Sequence, residues 1–178
     1  EIPNMRHNTE ALEDVVRFIY DNIQYAEFNT KSDSCHVCGF DGEIIINGGL
    51  LNIQVTGKSE GSEGLESKSK ITINEGEVIV HAYNDAINLG SDNPIGIEIN
   101  GGKIYAISDN NDGIDSNNKL WINGGLVIAS GASGYENGID CDDKDYFIVK
   151  GGTLIGTGSE AIAISNSCTQ KALICNNI

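Results

Sequence analysis

Proline is scarce here, with 2 in 178 residues, which leaves no proline-rich linker to divide the chain. Aromatic residues make up 6% and tryptophan occurs once, at Trp121, so a sugar platform built from stacked rings has little to draw on. No apolar run approaches the roughly 20 residues that a membrane-spanning helix needs. Positive charge is short as well. Lys and Arg total 11 against 26 Asp and Glu, and the net charge of -15 argues against nucleic acid and anionic membranes as direct partners. Both arginines, Arg6 and Arg17, lie in the N-terminal segment. Such a surface favours cations.

What the chain has in abundance is glycine, 22 residues of it, set in a repeat. An aliphatic triplet followed by an Asn-Gly-Gly type of turn stands as Ile44-Ile45-Ile46-Asn47-Gly48-Gly49. It returns around Asn74, Asn100 and Asn123, and as Phe147-Ile148-Val149-Lys150-Gly151-Gly152. Turn starts at 47, 74, 100, 123 and 150 are 27, 26, 23 and 27 residues apart, a period that marks stacked coils. A second motif lies inside each period: Glu63-Gly64-Leu65-Glu66-Ser67, Asp85-Ala86-Ile87-Asn88-Leu89, Asp112-Gly113-Ile114-Asp115-Ser116, Asn137-Gly138-Ile139-Asp140-Cys141 and the degraded Glu160-Ala161-Ile162-Ala163-Ile164. Three short strands per turn predict an all-β, parallel β-helix of about five coils.

Alternation assigns the interior. The first strand turns in Ile44/Ile46, Ile71/Ile73, Ile97/Ile99, Leu120/Ile122 and Phe147/Val149. The second turns in Leu51/Ile53, Val78/Val80, Ile104/Ala106, Val127/Ala129 and Leu154/Gly156, and the third Leu65, Ile87, Ile114, Ile139 and Ile162. The Gly-Gly corners are expected to supply positive φ, and the asparagines to tolerate the same conformation or to ladder from coil to coil.

The first residues lie outside the repeat. From Asn8 or Thr9 as N-cap, Leu12, Val15, Val16, Ile19, Tyr20 and Ile23 recur at helical spacing, which predicts an amphipathic helix closing the open end of the tube. The expected division is 1–42 for this capping segment, 43–165 for the β-helix and 166–178 for a C-terminal tail. Glu1 opens neither a signal peptide nor a Met start, which reads as a mature or trimmed chain. Of 5 cysteines, the register sends Cys141 inward as a buried thiol. Cys35 with Cys38, and Cys168 with Cys175, are then expected as local disulfides; half a zinc site or a redox pair are the rival readings of Cys35-His36-Val37-Cys38.

Chemistry is expected on the third strand. On either side of its inward residue stand a small row, Gly64, Ala86, Gly113, Gly138 and Ala161, and an acidic row, Glu66, Asn88, Asp115, Asp140 and Ala163. Glu63, Asp85, Asp112, Asn137 and Glu160 form a second row at the corner before it. Carboxylates stacked about 5 Å apart repel by roughly 3 kcal/mol at an effective dielectric near 20, so a cation would offset the cost. Oxygen donors without His or Cys suit calcium, held by Asp112, Asp115, Asn137 and Asp140, with Asp85, Asn88, Glu63 and Glu66 as further candidates. Loop acids Asp92, Asp109, Asp142 and Asp143 are available to complete a shell, and the small row reads as space for an ion or a sugar. A solvated acidic face without an ion is the plain alternative.

These alternating motifs, from Glu63-Gly64-Leu65-Glu66-Ser67 to Asn111-Asp112-Gly113-Ile114-Asp115-Ser116 between the Asn-Gly-Gly turns, resemble the bacterial cell-surface, calcium-dependent carbohydrate-binding β-helix family over roughly 43–165. The resemblance implies a right-handed β-helix, calcium, an extracellular or cell-surface location, and polysaccharide, including acidic sugars, as partner of a monomeric module. It also implies kinship in shape to calcium-dependent pectate lyases. Ala161, Ala163, Glu75 and the helical N-terminus depart from the pattern.

The leading expectation is non-catalytic binding of cell-wall polysaccharide, with calcium bridging the acidic rows to uronates and with outward Trp121 and Tyr105 as ligand-binding residues. An outward apolar row, Ile79, Tyr105, Ile128 and Ile155, reads as a face covered by the N-terminal helix or a loop. The enzyme alternative is a polysaccharide lyase taking its base from Lys68, Lys70, Lys119 or Lys144. A structural adhesin or spacer is the third expectation.

Overall fold

The computed structural model describes residues 27–32, 38–40, 42–58, 61–90, 94–134, 136–142, 144–159 and 164–171, with the first two stretches and Lys144 described by their backbone alone. The expected N-terminal helix, Cys35, Cys175, Asp92, Asp143 and the motif from Glu160 to Ala163 lie outside the described residues.

Among the described residues, sixteen strands wind into coils. The first coil is β1 (Glu27–Ser32), β2 (Cys38–Phe40) and β3 (Glu43–Ile46), and the second β4 (Leu50–Val55), β5 (Leu65–Ser67) and β6 (Lys70–Ile73). The third is β7 (Glu77–Ala82), β8 (Ile87–Leu89) and β9 (Gly96–Ile99), and the fourth β10 (Lys103–Ser108), β11 (Ile114–Ser116) and β12 (Leu120–Ile122). The fifth is β13 (Leu126–Ser130), β14 (Ile139–Cys141) and β15 (Phe147–Val149), after which β16 (Thr153–Thr157) begins another. One strand of each coil joins each of three parallel sheets: β1-β4-β7-β10-β13-β16, β2-β5-β8-β11-β14 and β3-β6-β9-β12-β15, called here sheets 1, 2 and 3. Apart from a single 3₁₀ turn at Lys144–Tyr146, the described residues contain no helix. The protein is an all-β parallel solenoid. Its first two described strands fall within the stretch assigned from sequence to the cap and stack on the second coil.

The interior follows the alternation. Ile71, Ile73, Val78, Val80, Ile87, Ile97, Ile99, Ile104, Ile114, Leu120 and Ile122 are fully buried in one continuous column. Each such side chain is worth about 1.5–3 kcal/mol on leaving water, which outweighs the weak strand preference of three-residue segments. Leu154 is only partly buried and Gly156 exposed, β16 being the last strand of its sheet among the described residues. Cys141 is a buried thiol as the register requires, its S–H directed at the Asn118 carbonyl 3.0 Å away. Cys168 is free, which corrects the expected C-terminal disulfide. Its sulfur instead accepts the Val149 N–H at 3.1 Å and closes the end of the column.

At the corners, the second glycine of each turn carries the left-handed backbone: Gly49, Gly76, Gly102, Gly125 and Gly152 have φ between 80° and 101°. This explains why Glu75 is tolerated in the place before Gly76, while the second place is always glycine. The asparagines before these glycines form a ladder, Asn74 Nδ2 donating to Asn47 Oδ1 at 2.7 Å, Asn100 to Asn74 at 2.8 Å and Asn123 to Asn100 at 2.7 Å. The ladder stops where the fifth coil carries Lys150. Asn123 Oδ1 is left buried without a donor among the described residues. Lys150→Asn is therefore expected to stabilise the solenoid by about 1 kcal/mol through one more rung, raising the midpoint of thermal unfolding by about 2–4 °C. No change in a melting curve would mean that Asn123 is already satisfied.

Candidate functional site

The acidic motif lies at the corner between sheets 1 and 2, where each coil leaves its long strand and enters the three-residue strand of sheet 2. Asp85 precedes β8, and Asp112 precedes β11 one coil further on. Both are sunk into the corner, 4% and 6% exposed, because their carboxylates serve the backbone of the next coil. Asp85 Oδ1 accepts the Asp112 N–H at 3.0 Å, and Asp112 Oδ1 accepts the Asn137 N–H. Asp115 follows on β11, half-buried. Each of the three carboxylates presents an oxygen within 4.8 Å of the other two.

Their electrostatics are unfavourable to three bare charges. Burial pushes Asp115 up to about 8, and the charges of Asp85, Asp112, Asp140 and Asp142 push the same way. Burial pushes Asp85 up to about 7 against the pull of the Asp112 N–H, with Asp112, Glu63 and Glu136 adding to the rise. Asp112 rises to about 6, again through burial, opposed by the Asn137 N–H and assisted by Asp140 and Glu136. At 4.8 Å each ionised pair costs about 3 kcal/mol at an effective dielectric of 20.

Two amide oxygens flank the group. Asn88 pairs in register with Asp115, is 8% exposed, and its buried Oδ1 accepts no hydrogen bond among the described residues. Asn137, one coil beyond Asp112, has a buried Oδ1 in the same condition. An amide oxygen held out of water without a donor costs on the order of 1–3 kcal/mol, and a cation would satisfy it. Asp85, Asp112 and Asp115, with Asn88 and Asn137, thus form a set of hard oxygen donors that fits calcium.

Other expected ligands are engaged elsewhere. Glu66 is ion-paired with Lys68, and Glu63 accepts the Asn84 amide at 3.0 Å. Asp140 pairs in register with Asp115 but spends one oxygen on the Cys141 N–H at 2.8 Å. Asp109 is held by His81 at 2.8 Å. Glu136, just before the repeat, was missed; its position next to Asn137 was the available signal.

The small row is not an opening. A Cβ on Gly113 would lie 2.6 Å from the Gly138 carbonyl oxygen and 2.7 Å from the Ser130 nitrogen. On Gly138 it would lie 2.4 Å from the Thr157 nitrogen, and Ala86 is fully buried. These residues are small because the corner brings sheet 2 against the backbone of sheet 1. The space expected there for an ion or a sugar is filled by main chain.

Trp121 and Tyr105 do not come together, since Trp121 is on β12 of sheet 3 and Tyr105 on β10 of sheet 1. The Trp121 ring packs against Gly96, where a Cβ would come within 2.8 Å of it. The Lys119 ammonium lies 5.9 Å from its centroid and 4.7 Å from that of Tyr146. Lysines expected as bases are likewise committed: Lys68 to Glu66, and Lys70 to Glu43 at 3.6 Å and Glu98 at 3.2 Å.

Comparison with known proteins places a likeness at the other end of the chain. Residues 1–52 match the family model described as anaerobic ribonucleoside-triphosphate reductase. The reductase of that name from Haemophilus influenzae is 51% identical over 44 residues, and those from Escherichia coli and Salmonella typhimurium are 49% identical over 44. Each match covers 25% of this chain and 6% of the relative's length. No solved structure gives a significant match.

This overturns the resemblance to a carbohydrate-binding family, and with it polysaccharide binding, the lyase and adhesin alternatives, and polysaccharide as partner. The extracellular setting attached to that resemblance loses its support. The earlier likeness rested on a repeat that specifies a shape, and shape does not carry activity. The stretch similar to the reductases contains Cys35 and Cys38, takes in β1, β2 and β3, and ends inside β4.

Proposed function

We propose that this chain joins a reductase-related segment to a solenoid stapled by a divalent cation, calcium by preference, between its third and fourth coils. The observation that carries the cation site is the convergence of Asp85, Asp112 and Asp115 beside the undonated oxygen of Asn88. A divalent ion there would cancel most of the mutual repulsion and add a link between two coils already joined by backbone bonds and by side-chain bonds such as His81 to Asp109 and Ser108 to the Asn84 carbonyl. Asn137 and Asp140 stand on the following coil as further oxygen donors, whereas Glu63 and Glu66 drop out through their own partners. Calorimetric titration with calcium is expected to show saturable uptake that Asp115→Asn abolishes. Absence of uptake by the parent chain would overturn the site.

For the first 52 residues, the reductase likeness supports anaerobic reduction of ribonucleoside triphosphates as the setting in which they work. A stretch of 44 residues is too short to bury a core and an active site by itself, so it acts with the greater length of such a protein. The test is an exchange: residues 1–52 replace the matching stretch of the Escherichia coli relative, and anaerobic ribonucleoside-triphosphate reduction is assayed. Retained activity is expected. A folded but inactive chimera would separate this segment from reductase function while leaving the cation site untouched.

A further inference from the structure

Given a divalent ion at the Asp85, Asp112 and Asp115 corner, on which this reading rests, we infer that Lys68 is the solenoid's own cation. Its ammonium fills, between the second and third coils, the place that the ion would take between the third and fourth, and so limits the protein to one ion. Moving the donor set back by one coil turns Asp85 and Asp112 into Glu63 and Asp85, and Asn88 and Asp115 into Glu66 and Asn88. The chemistry is unchanged. Each set holds three carboxylates and one amide, two acids before the short strand of sheet 2 and an acid with an amide paired in register upon it. Glu66 is 5% exposed, Glu63 8% and Asp85 4%, so the earlier set is at least as deeply buried as the later. Buried carboxylates brought together need a counter-charge in either place.

In the earlier place the chain supplies one. Two residues past the outward position of sheet 2 stand Lys68, Gly90, Asn117 and Asp142 on successive coils, and among these four only Lys68 is a cation. Lys68 is ion-paired with Glu66 on its own coil. It also reaches the next coil. A Cβ on Gly90 would lie 3.5 Å from Lys68 Nζ, and 3.2 and 3.3 Å from Asn88 Nδ2 and Oδ1, so the ammonium and the amide border the same small volume. Glycine at 90 keeps that volume clear for the lysine. Asn88 is 8% exposed and its Oδ1 accepts no hydrogen bond among the described residues, which leaves a buried oxygen for whichever cation stands beside it. A divalent ion between Glu66 and Asn88 would meet the ammonium at close range, and like charges in so small a space exclude one another. Lysine and ion therefore compete for one place.

Calcium titration of the parent, of Lys68→Met, and of Lys68→Met combined with Asp115→Asn tests this by stoichiometry. About one ion per chain is expected for the parent, about two for Lys68→Met, and about one for the double variant, held by Glu66 and Asn88. Lys68→Arg keeps the charge and should stay with the parent. The Lys68 side chain is 45% exposed against 7% for Glu66, so replacing it leaves the core closed. Circular dichroism retaining the β signal controls for folding, with Lys68→Gln as the substitute if Lys68→Met does not fold. Two ions on the parent, no added ion on Lys68→Met, or no uptake by the double variant would each overturn the inference. An Asp115-dependent ion on the parent would still uphold the corner in those last two cases. A parent without uptake beside a double variant that binds would overturn the corner and keep Lys68 as the resident cation.

Discussion

In excess chelator, the thermal midpoint of this protein is expected to fall as pH rises from about 5 to about 8, and calcium at about pH 8 to restore it. Asp85, Asp112 and Asp115 are held at about 7, 6 and 8 in the folded chain, well above the 3.8 of a free aspartate. Between those limits the folded state binds more protons than the unfolded one. Stability is then complete below the unfolded value and is lost as pH climbs through the folded values. Calcium inverts the slope, since it binds the ionised form. At a hundred times its dissociation constant a ligand adds about 2.7 kcal/mol, which is roughly 5–11 °C in a chain of this size.

Asp115→Asn separates this account from a plain acidic face. Asp115 accepts no hydrogen bond among the described residues, so its charge can be removed without orphaning a backbone group. The variant is expected to melt higher than the parent in chelator at pH 8, to show a flatter pH dependence, and to lose the calcium response. Equal calcium responses in parent and variant would rule out this corner as the site.

Gly113→Ala should be a strongly damaging small substitution near the site, at about 3 kcal/mol or a fall of about 6–12 °C. The added methyl meets main-chain atoms on two sides, Gly138 oxygen at 2.6 Å and Ser130 nitrogen at 2.7 Å. It can be relieved only by stretching the bond from Ile114 N–H to that same oxygen, now 3.0 Å. Gly42→Ala, with nothing within 4 Å of its Cβ, is the control and should stay within about 0.5 kcal/mol. Urea denaturation of both variants makes the comparison. A loss below about 1 kcal/mol for Gly113→Ala would show that adjacent coils can part locally to admit the methyl.

The fold was legible because the repeat fixes parity. Once Ile71 and Ile73 are known to face inward, stacking obliges Ile97, Ile99, Leu120 and Ile122 to do so, and Cys141 follows. The site was legible in its members, since Asp85, Asp112 and Asp115 occupy two repeating places. It was not legible in its depth. Parity read Gly64, Gly113 and Gly138 as an outward row with room beside it, but the chain bends there and presses them against sheet 1. Spacing along the chain carries no information about distance across a corner. Trp121 and Tyr105 share outward parity yet stand on different sides of the tube. The reductase likeness was beyond the reach of the repeat, because most of it precedes Asn47 and has no copy to align with.

The pairing of β1 with β4, and of β3 with β6, bears on where this protein can be divided. The family likeness ends at residue 52, in the middle of β4, so the boundary of kinship cuts through a hydrogen-bonded strand. Kinship and folding are partitioned differently. The first coil shields the backbone edges of the second, and a chain begun at residue 53 would bare the unpaired N–H and C=O groups of β5 and β6 to solvent and to other copies. In a one-dimensional stack the end unit contributes little core of its own. Its importance lies in what it covers: the segment similar to the reductases supplies β1, β2 and β3, which pair with the backbone edges of β4, β5 and β6.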